Sequence, residues 1–223
     1  MKMKNIWKIL TIIFVILFCL IFFRENYPSR IYYRLYSQPN SNISQVISFY
    51  GKFDCKNKIV FIGDSITRRM DWNELLGRKD IVSKGINSDT TNGVLDRVDF
   101  YLNQKPKGIF LMIGINDINR NIGMDTIKTN YSKIIDKILS NNVQLFIQST
   151  LNTNTMERNN KIEILNKFLA EQCKLKSIPY IDVNEKLSEN NMLSPKYSND
   201  GLHLNKDGYI VWKKAILSYV NKL

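Results

Sequence analysis

Along most of this chain, short apolar runs rich in β-branched residues alternate with longer stretches whose apolar positions recur every three or four residues. The first kind reads as buried strand and the second as amphipathic helix. Strands are expected at Ile59–Ile62, Ile81–Ser83, Gly108–Ile113, Val143–Gln148 and Pro179–Val183. Helices are expected at Ile66–Leu76, Thr90–Leu102, Thr126–Leu139, Met156–Leu175 and Lys206–Val220. The pattern over Thr126–Leu139 is carried by Ile127, Tyr131, Ile134, Ile135 and Ile138. That over Met156–Leu175 is carried by Ile162, Leu165, Phe168 and Leu169. Such alternation predicts an α/β fold, a parallel sheet covered by helices on both faces. In such sheets ligands bind beyond the carboxyl ends of the strands. Polar clusters fall at those ends: Gly63-Asp64-Ser65, Gly85, and Gly114-Ile115-Asn116-Asp117.

The N-terminus breaks the pattern. Ile9 to Phe23 is continuously apolar apart from Thr11 and Cys19, and Ile6 and Trp7 extend the run across Lys8. As a helix, residues 6–23 would be roughly 27 Å long, close to the ~30 Å of bilayer hydrocarbon. Bulky residues and then Arg24 follow, with no small-residue cleavage site. The reading is an uncleaved transmembrane signal anchor over 1–25, a membrane-proximal stem over 26–42 with Pro28 and Pro39, and one domain over 43–223. Lys2, Lys4 and Lys8 on one flank nearly balance Arg24, Arg30 and Arg34 on the other. The positive-inside rule therefore gives almost a tie. The common arrangement, a short basic terminus inside and the large domain exported, predicts a single-pass membrane protein with an extracytoplasmic domain.

Composition narrows the function classes. Hydrophobic content of 44% supports a packed core. The net charge is +12, of which residues 43–223 hold about +7. Basic residues are scattered among acids with no aromatic-interleaved stripe, so no nucleic-acid partner is expected. One histidine and three dispersed cysteines cannot furnish a zinc site, and no metal or other cofactor is expected. Cys55 and Cys173 are read as buried thiols, with a disulfide between them left open.

The chemistry converges on three segments. His203, the sole histidine, is the one imidazole available for proton transfer near neutral pH. Asp200 precedes it by three residues, close enough for a turn to place the carboxylate on the ring. Ser65 sits where a strand gives way to a helix, although a serine there could equally be a helix N-cap. Gly85 could offer a backbone N–H and Asn116 a side-chain amide to an oxyanion, or each could simply serve a turn.

Taken together, the blocks Val60-Phe61-Ile62-Gly63-Asp64-Ser65-Ile66-Thr67, Lys84-Gly85-Ile86-Asn87-Ser88-Asp89-Thr90-Thr91, Ile113-Gly114-Ile115-Asn116-Asp117 and Asp200-Gly201-Leu202-His203-Leu204-Asn205 resemble, in order and spacing, those of the SGNH hydrolases, the GDSL-type esterase and lipase superfamily. The resemblance spans residues 58 to about 220. It implies a flavodoxin-like three-layer α/β/α sandwich, with Ser65 as nucleophile, His203 as base and Asp200 as its orienter. The N–H groups of Ser65 and Gly85 and the Asn116 amide would form the oxyanion hole. The second block departs from the family's Asn-x-Gly-x-x-Gly-Asp-Thr: Ser83 replaces the Asn and Ser88 the second Gly. The expected activity is ester hydrolysis, with an O-acylated surface carbohydrate as substrate. A lipid ester, including a lysophospholipid, is the alternative, and O-acetyl transfer on the same serine is a third. A non-catalytic anion- or glycan-binding domain built on Ser65, Thr67, Arg68 and Arg69 would leave Asn116 and Asp200-x-x-His203 unexplained. Acyl chain and oligomeric state are not legible.

Overall fold

The computed structural model describes residues 55–223. The expected anchor, stem and domain start lie outside these residues. Among the described residues no helix is long and apolar enough to cross a membrane.

Five parallel strands, β1 (Ile59–Gly63), β2 (Ile81–Gly85), β3 (Gly108–Met112), β4 (Gln144–Gln148) and β5 (Tyr180–Ile181), form a sheet in the order β2-β1-β3-β4-β5. This is the flavodoxin-like order, and the crevice at its β1/β3 switch point is where such folds place a ligand. β1 and β3 are buried along their whole length, as their unbroken apolar runs require of central strands. Phe61, Phe110 and Phe146 stand in register on adjacent strands and stack, with ring centroids 4.8 and 4.5 Å apart. Trp72 stacks on Phe61 at 4.4 Å, and Trp212 meets Trp72 edge-on at 4.8 Å.

The helices are α1 (Ser65–Arg68), α2 (Trp72–Leu76), α3 (Thr91–Leu102), α4 (Ile115–Asn119), α5 (Met124–Ser140), α6 (Met156–Lys176), α7 (Asn184–Leu187) and α8 (Lys206–Val220). α2 packs on α8, whereas α3 packs on α5 and α5 on α6. The apolar positions of α5 that predicted it, Ile127, Tyr131, Ile134, Ile135 and Ile138, are all fully buried.

Three departures from the sequence pattern have local causes. The single helix expected over Ile66–Leu76 is two, because Asp71 caps a new start: its Oδ1 accepts the N–H groups of Asn73 and Glu74 at 3.0 and 3.1 Å. An antiparallel pair, β6 (Ser188–Glu189) and β7 (Met192–Leu193), joins through Asn190 and Asn191. Both have positive φ (51° and 58°), the conformation a tight hairpin turn requires and asparagine tolerates. β5 shrinks to two residues at the sheet edge. No disulfide joins the buried Cys55 and Cys173 in this structure, and burial pushes the Cys173 thiol up to about 11.

Candidate active site

At the carboxyl end of β1 the chain turns directly into α1. The cap of that helix is Asp64, whose Oδ1 accepts the Ile66 N–H at 2.9 Å. Capping therefore does not consume Ser65, and its hydroxyl stands half-buried at the sheet edge. Two ties fix α1 from the other elements: the Tyr209 hydroxyl of α8 donates to Ile66 O at 2.6 Å, and the Trp72 indole donates to Thr67 O at 2.8 Å.

Ser65 Oγ lies 3.0 Å from His203 Nε2, and His203 Nδ1 lies 2.7 Å from Asp200 Oδ2. The Asp200 carboxylate also accepts the backbone N–H groups of His203 and Leu202 at 2.7 and 3.0 Å. Burial alone would raise this carboxyl, but its bonds to the His203 ring and to these two amides outweigh it and hold Asp200 at about 2. An ionised Asp200 accepts the Nδ1 proton. Nε2 then presents its lone pair to Ser65, the tautomer a base needs.

The loop carrying this pair is itself braced. Ser198 Oγ donates to His203 O at 2.7 Å and accepts the Gly201 N–H at 2.9 Å. The Asn154 N–H donates to Gly201 O at 2.9 Å. Gly201 has φ +73°, and a Cβ there would strike the Asn154 side chain at 2.1 Å, so glycine is required. Sequence reasoning missed Ser198 and Asn154. For Asn154 the signal available was the polar stretch Ser149-Thr150-Leu151-Asn152-Thr153-Asn154-Thr155 after β4.

Asn116 sits in the first turn of α4, and its Nδ2 donates to Asp89 O at 2.9 Å. That bond uses one of its two amide protons and ties the end of β3 to the loop after β2. Ser65 N–H lies at the start of α1, where first-turn amides have no intrahelical acceptor.

Gly85 is placed differently from expectation. It ends β2 opposite Gly63, and the next residue, Ile86, donates its N–H to Gly63 O at 3.0 Å. N–H direction alternates along a strand, so the Gly85 N–H points to the outer edge of β2, away from Ser65. The glycine is needed for packing: a Cβ would meet Arg68 N at 2.5 Å and Asp64 O at 2.7 Å. Gly85 lets α1 lie against β2.

Beneath Ser65 lies a buried charge cluster that the sequence did not reveal. Asp89 and Arg97 pair at 2.5 Å with both side chains fully buried. Arg97 also donates to the Tyr101 hydroxyl at 3.1 Å. Asp117 accepts the Thr91 hydroxyl at 2.6 Å, and Asn130 Nδ2 donates to the same hydroxyl at 3.1 Å. Burial pushes Asp117 up to about 6, against the pull of Thr91. Burial likewise pushes Asp64 up to about 7, against the Ile66 N–H, with the Asp89 and Asp117 charges adding to the rise. Among the described residues no cluster of histidine, cysteine and acidic side chains could hold a metal ion.

Residues 61–211 match the sequence model of the GDSL-like Lipase/Acylhydrolase family. The chain belongs to this family. It is an acylhydrolase of the GDSL type, an ester hydrolase. Solved structures agree on the fold. A GDSL-like lipase from Bacteroides thetaiotaomicron is 21% identical with a TM-score of 0.73, over 81% of this chain and 98% of that one. A catalytic mutant of an acetylxylan esterase from Geobacillus stearothermophilus is 17% identical with a TM-score of 0.64, over 76% and 96%. A curated relative is the N-acylneuraminate cytidylyltransferase of Streptococcus agalactiae, 27% identical over 116 residues. That match takes in 51% of this chain but only 28% of the relative.

Proposed function

We propose that this acylhydrolase removes short acyl groups from O-acylated carbohydrate through a Ser65-His203-Asp200 triad. The observation that carries the reading is the alignment of Oγ, Nε2, Nδ1 and Oδ2 at 3.0 and 2.7 Å, from segments 138 residues apart. Ser65 Oγ attacks the ester carbonyl as its proton passes to His203 Nε2. Asp200 stabilises the imidazolium. Charge developing on the carbonyl oxygen is met by the Ser65 N–H and the second Nδ2 proton of Asn116. Collapse expels the alcohol, protonated by His203, and leaves an acyl-Ser65 ester. A water molecule, deprotonated by His203, then hydrolyses that ester and restores the serine.

The carbohydrate side of the reading is supported by two names. One structural neighbour is an acetylxylan esterase, and the cytidylyltransferase that shares this segment acts on N-acylneuraminate. The tether is supported by the apolar run at Ile9–Phe23. With the catalytic domain exported, that tether would hold the site near surface glycans.

The test uses full-length protein in detergent, with p-nitrophenyl esters of graded acyl length and a fluorophosphonate label. Turnover highest for acetate, with labelling lost in Ser65→Ala, is the expected result. Labelling that persists in Ser65→Ala sinks the triad. A preference for long acyl chains sinks the carbohydrate reading in favour of a lipid ester.

A further inference from the structure

Two arginines at the mouth of the site are not used by the reaction. Arg69 ends the turn that begins at Ser65. Its guanidinium is half-exposed and lies 3.9 Å from Asp200 Oδ2, on the His203 side of the nucleophile. Arg120 stands one helical turn beyond Asn116. Its Nη2 donates to Ser88 O at 2.6 Å, next to the Asp89 carbonyl that holds the Asn116 amide. The acids nearby all have partners, and Asp200 divides its charge between His203 and the Arg69 ion pair. Asp200 is bonded to the His203 ring and two backbone amides, Asp89 to Arg97, and Asp117 to Thr91. Among the described residues Arg120 forms no ion pair, only its bond to a neutral carbonyl. A guanidinium has five N–H donors, so each arginine keeps several for a ligand. Arg68 adds a third exposed cation beside Arg69. Cations thus stand beside Asp200 and beside Asn116, in a chain of net charge +12, and an excess of one sign of charge at a site concentrates ligands of the other.

We infer that the ester substrate carries an anionic group, a carboxylate or a phosphate near the acylated hydroxyl, which Arg69 and Arg120 bind. The inference rests on the ester-hydrolase reading and narrows its substrate class. Bidentate recognition of either anion suits arginine. A carboxylate would come from an acidic sugar, and a phosphate from a sugar phosphate or a lipid headgroup.

The test compares matched pairs on the full-length protein: an O-acetyl uronic acid against its neutral carboxamide, and acetylglycerol 3-phosphate against acetylglycerol. A p-nitrophenyl acetate assay runs alongside. The anionic member of at least one pair should be favoured in kcat/KM by about 10- to 100-fold, the worth of a charge-assisted hydrogen bond. The preferred pair identifies the source of the anion. Raising salt from 0.05 to 0.5 M should shrink the preference, because exposed charges are screened. Arg120→Gln keeps a donor for Ser88 O while removing the charge. Combined with Arg69→Gln it should bring the anionic-to-neutral ratio to within about threefold of one, and Arg120→Lys should restore part of it. A parent enzyme with Ser65-dependent turnover but a ratio near one in both pairs overturns this inference and leaves the hydrolase reading standing. So does a ratio unmoved by the double substitution. Failure to turn over any ester overturns the hydrolase reading instead. In that event, calorimetry of the Ser65→Ala protein with the free uronic acid and its carboxamide still reads the charge preference, and equal binding of the two overturns the inference.

Discussion

Asp200→Asn separates a carboxylate that sets the histidine tautomer from one that only shapes a turn. In the parent, Oδ2 accepts the ring Nδ1–H at 2.7 Å while Oδ1 accepts two backbone N–H groups at 2.7 and 3.0 Å. Asparagine has one oxygen and one NH2. If its oxygen stays on the two amides, its NH2 faces Nδ1 and the ring must carry its proton on Nε2, where it cannot accept from Ser65. If the amide flips, the tautomer is saved but two backbone N–H groups lose a charged acceptor, each worth about 1.5–3 kcal/mol. The first arrangement is therefore favoured, and the turn survives at the expense of the base. A wrong tautomer costs up to about 10⁴ in kcat in a buried triad. Asp200 is half-exposed, so water partly substitutes, and a loss of about 10²–10⁴ in kcat is expected, or ~3–5.5 kcal/mol of barrier. Thermal midpoint and KM should change little. The assay is steady-state hydrolysis of p-nitrophenyl acetate between pH 5 and 8. Since Asp200 sits at about 2, it stays ionised over that range and adds no limb of its own to the parent profile. Its contribution to stability is present above pH ~4 and lost only as pH falls through about 2. An Asp200→Asn enzyme with parental kcat would refute the tautomer argument. A loss confined to KM would do the same.

Asn116→Ala should lower kcat by roughly 100- to 1,000-fold, the usual effect of losing one oxyanion donor; a change in KM alone would make it a binding residue. Asp64 has a native pKa of about 7 against 3.8 for the free side chain, so its contribution to stability is full below pH ~4 and lost as pH rises through 7. Asp64→Asn keeps the acceptor for Ile66 N–H, and its thermal midpoint relative to the parent should rise from pH 5 to about 7 and level off above it; a constant difference would contradict the buried-acid assignment. Full-length protein should stay with membranes through carbonate extraction and lose that behaviour without residues 1–25; recovery in the soluble fraction would remove the anchor.

The fold was legible because the sheet is parallel and its central strands are buried on both faces. Continuous runs such as Ile59–Ile62 and Gly108–Ile113 can serve few other purposes. The helices that cover them announce themselves through spacings like Ile127, Tyr131, Ile134 and Ile138. Shorter elements escaped for physical reasons. A four-residue helix has no periodicity to read, so the break at Asp71 depended on recognising a cap. The β6–β7 hairpin is set by two asparagines in left-handed conformation, not by any apolar pattern. At the site, Ser65, Asp200, His203 and Asn116 stood out because each chemistry-bearing type occurs in a distinctive local setting, and the fold brings the first three into contact. Gly85 is harder to read because glycine carries no chemistry of its own. Whether it offers an N–H or only the absence of a Cβ depends on strand direction, which the sequence does not display.

The parts of the site that were invisible share a property: they act between segments. Arg97 looks like any helix arginine in sequence, yet in the fold it is fully buried, pairs with Asp89 and neutralises one of three acids packed below Ser65. Such a pair costs several kcal/mol of desolvation and is not an efficient source of stability. Its geometry shows what it secures instead. Asp89 bonds Arg97 through its carboxylate and Asn116 through its carbonyl, so one residue ties α3 to the start of α4. Asp117 then ties the same α4 back to Thr91 at the start of α3. The Asn116 side of the site is thereby held by a closed ring of largely buried polar bonds, while the Asp200–His203 loop is held by Ser198 and Asn154. Arg97→Met would leave Asp89 buried and unpaired, so it should destabilise the domain by about 3–5 kcal/mol. Asp89→Asn with Arg97→Met removes both charges and should recover much of that loss. Recovery of stability without recovery of kcat would show that the ring positions Asn116; recovery of neither would show that the pair holds the fold alone.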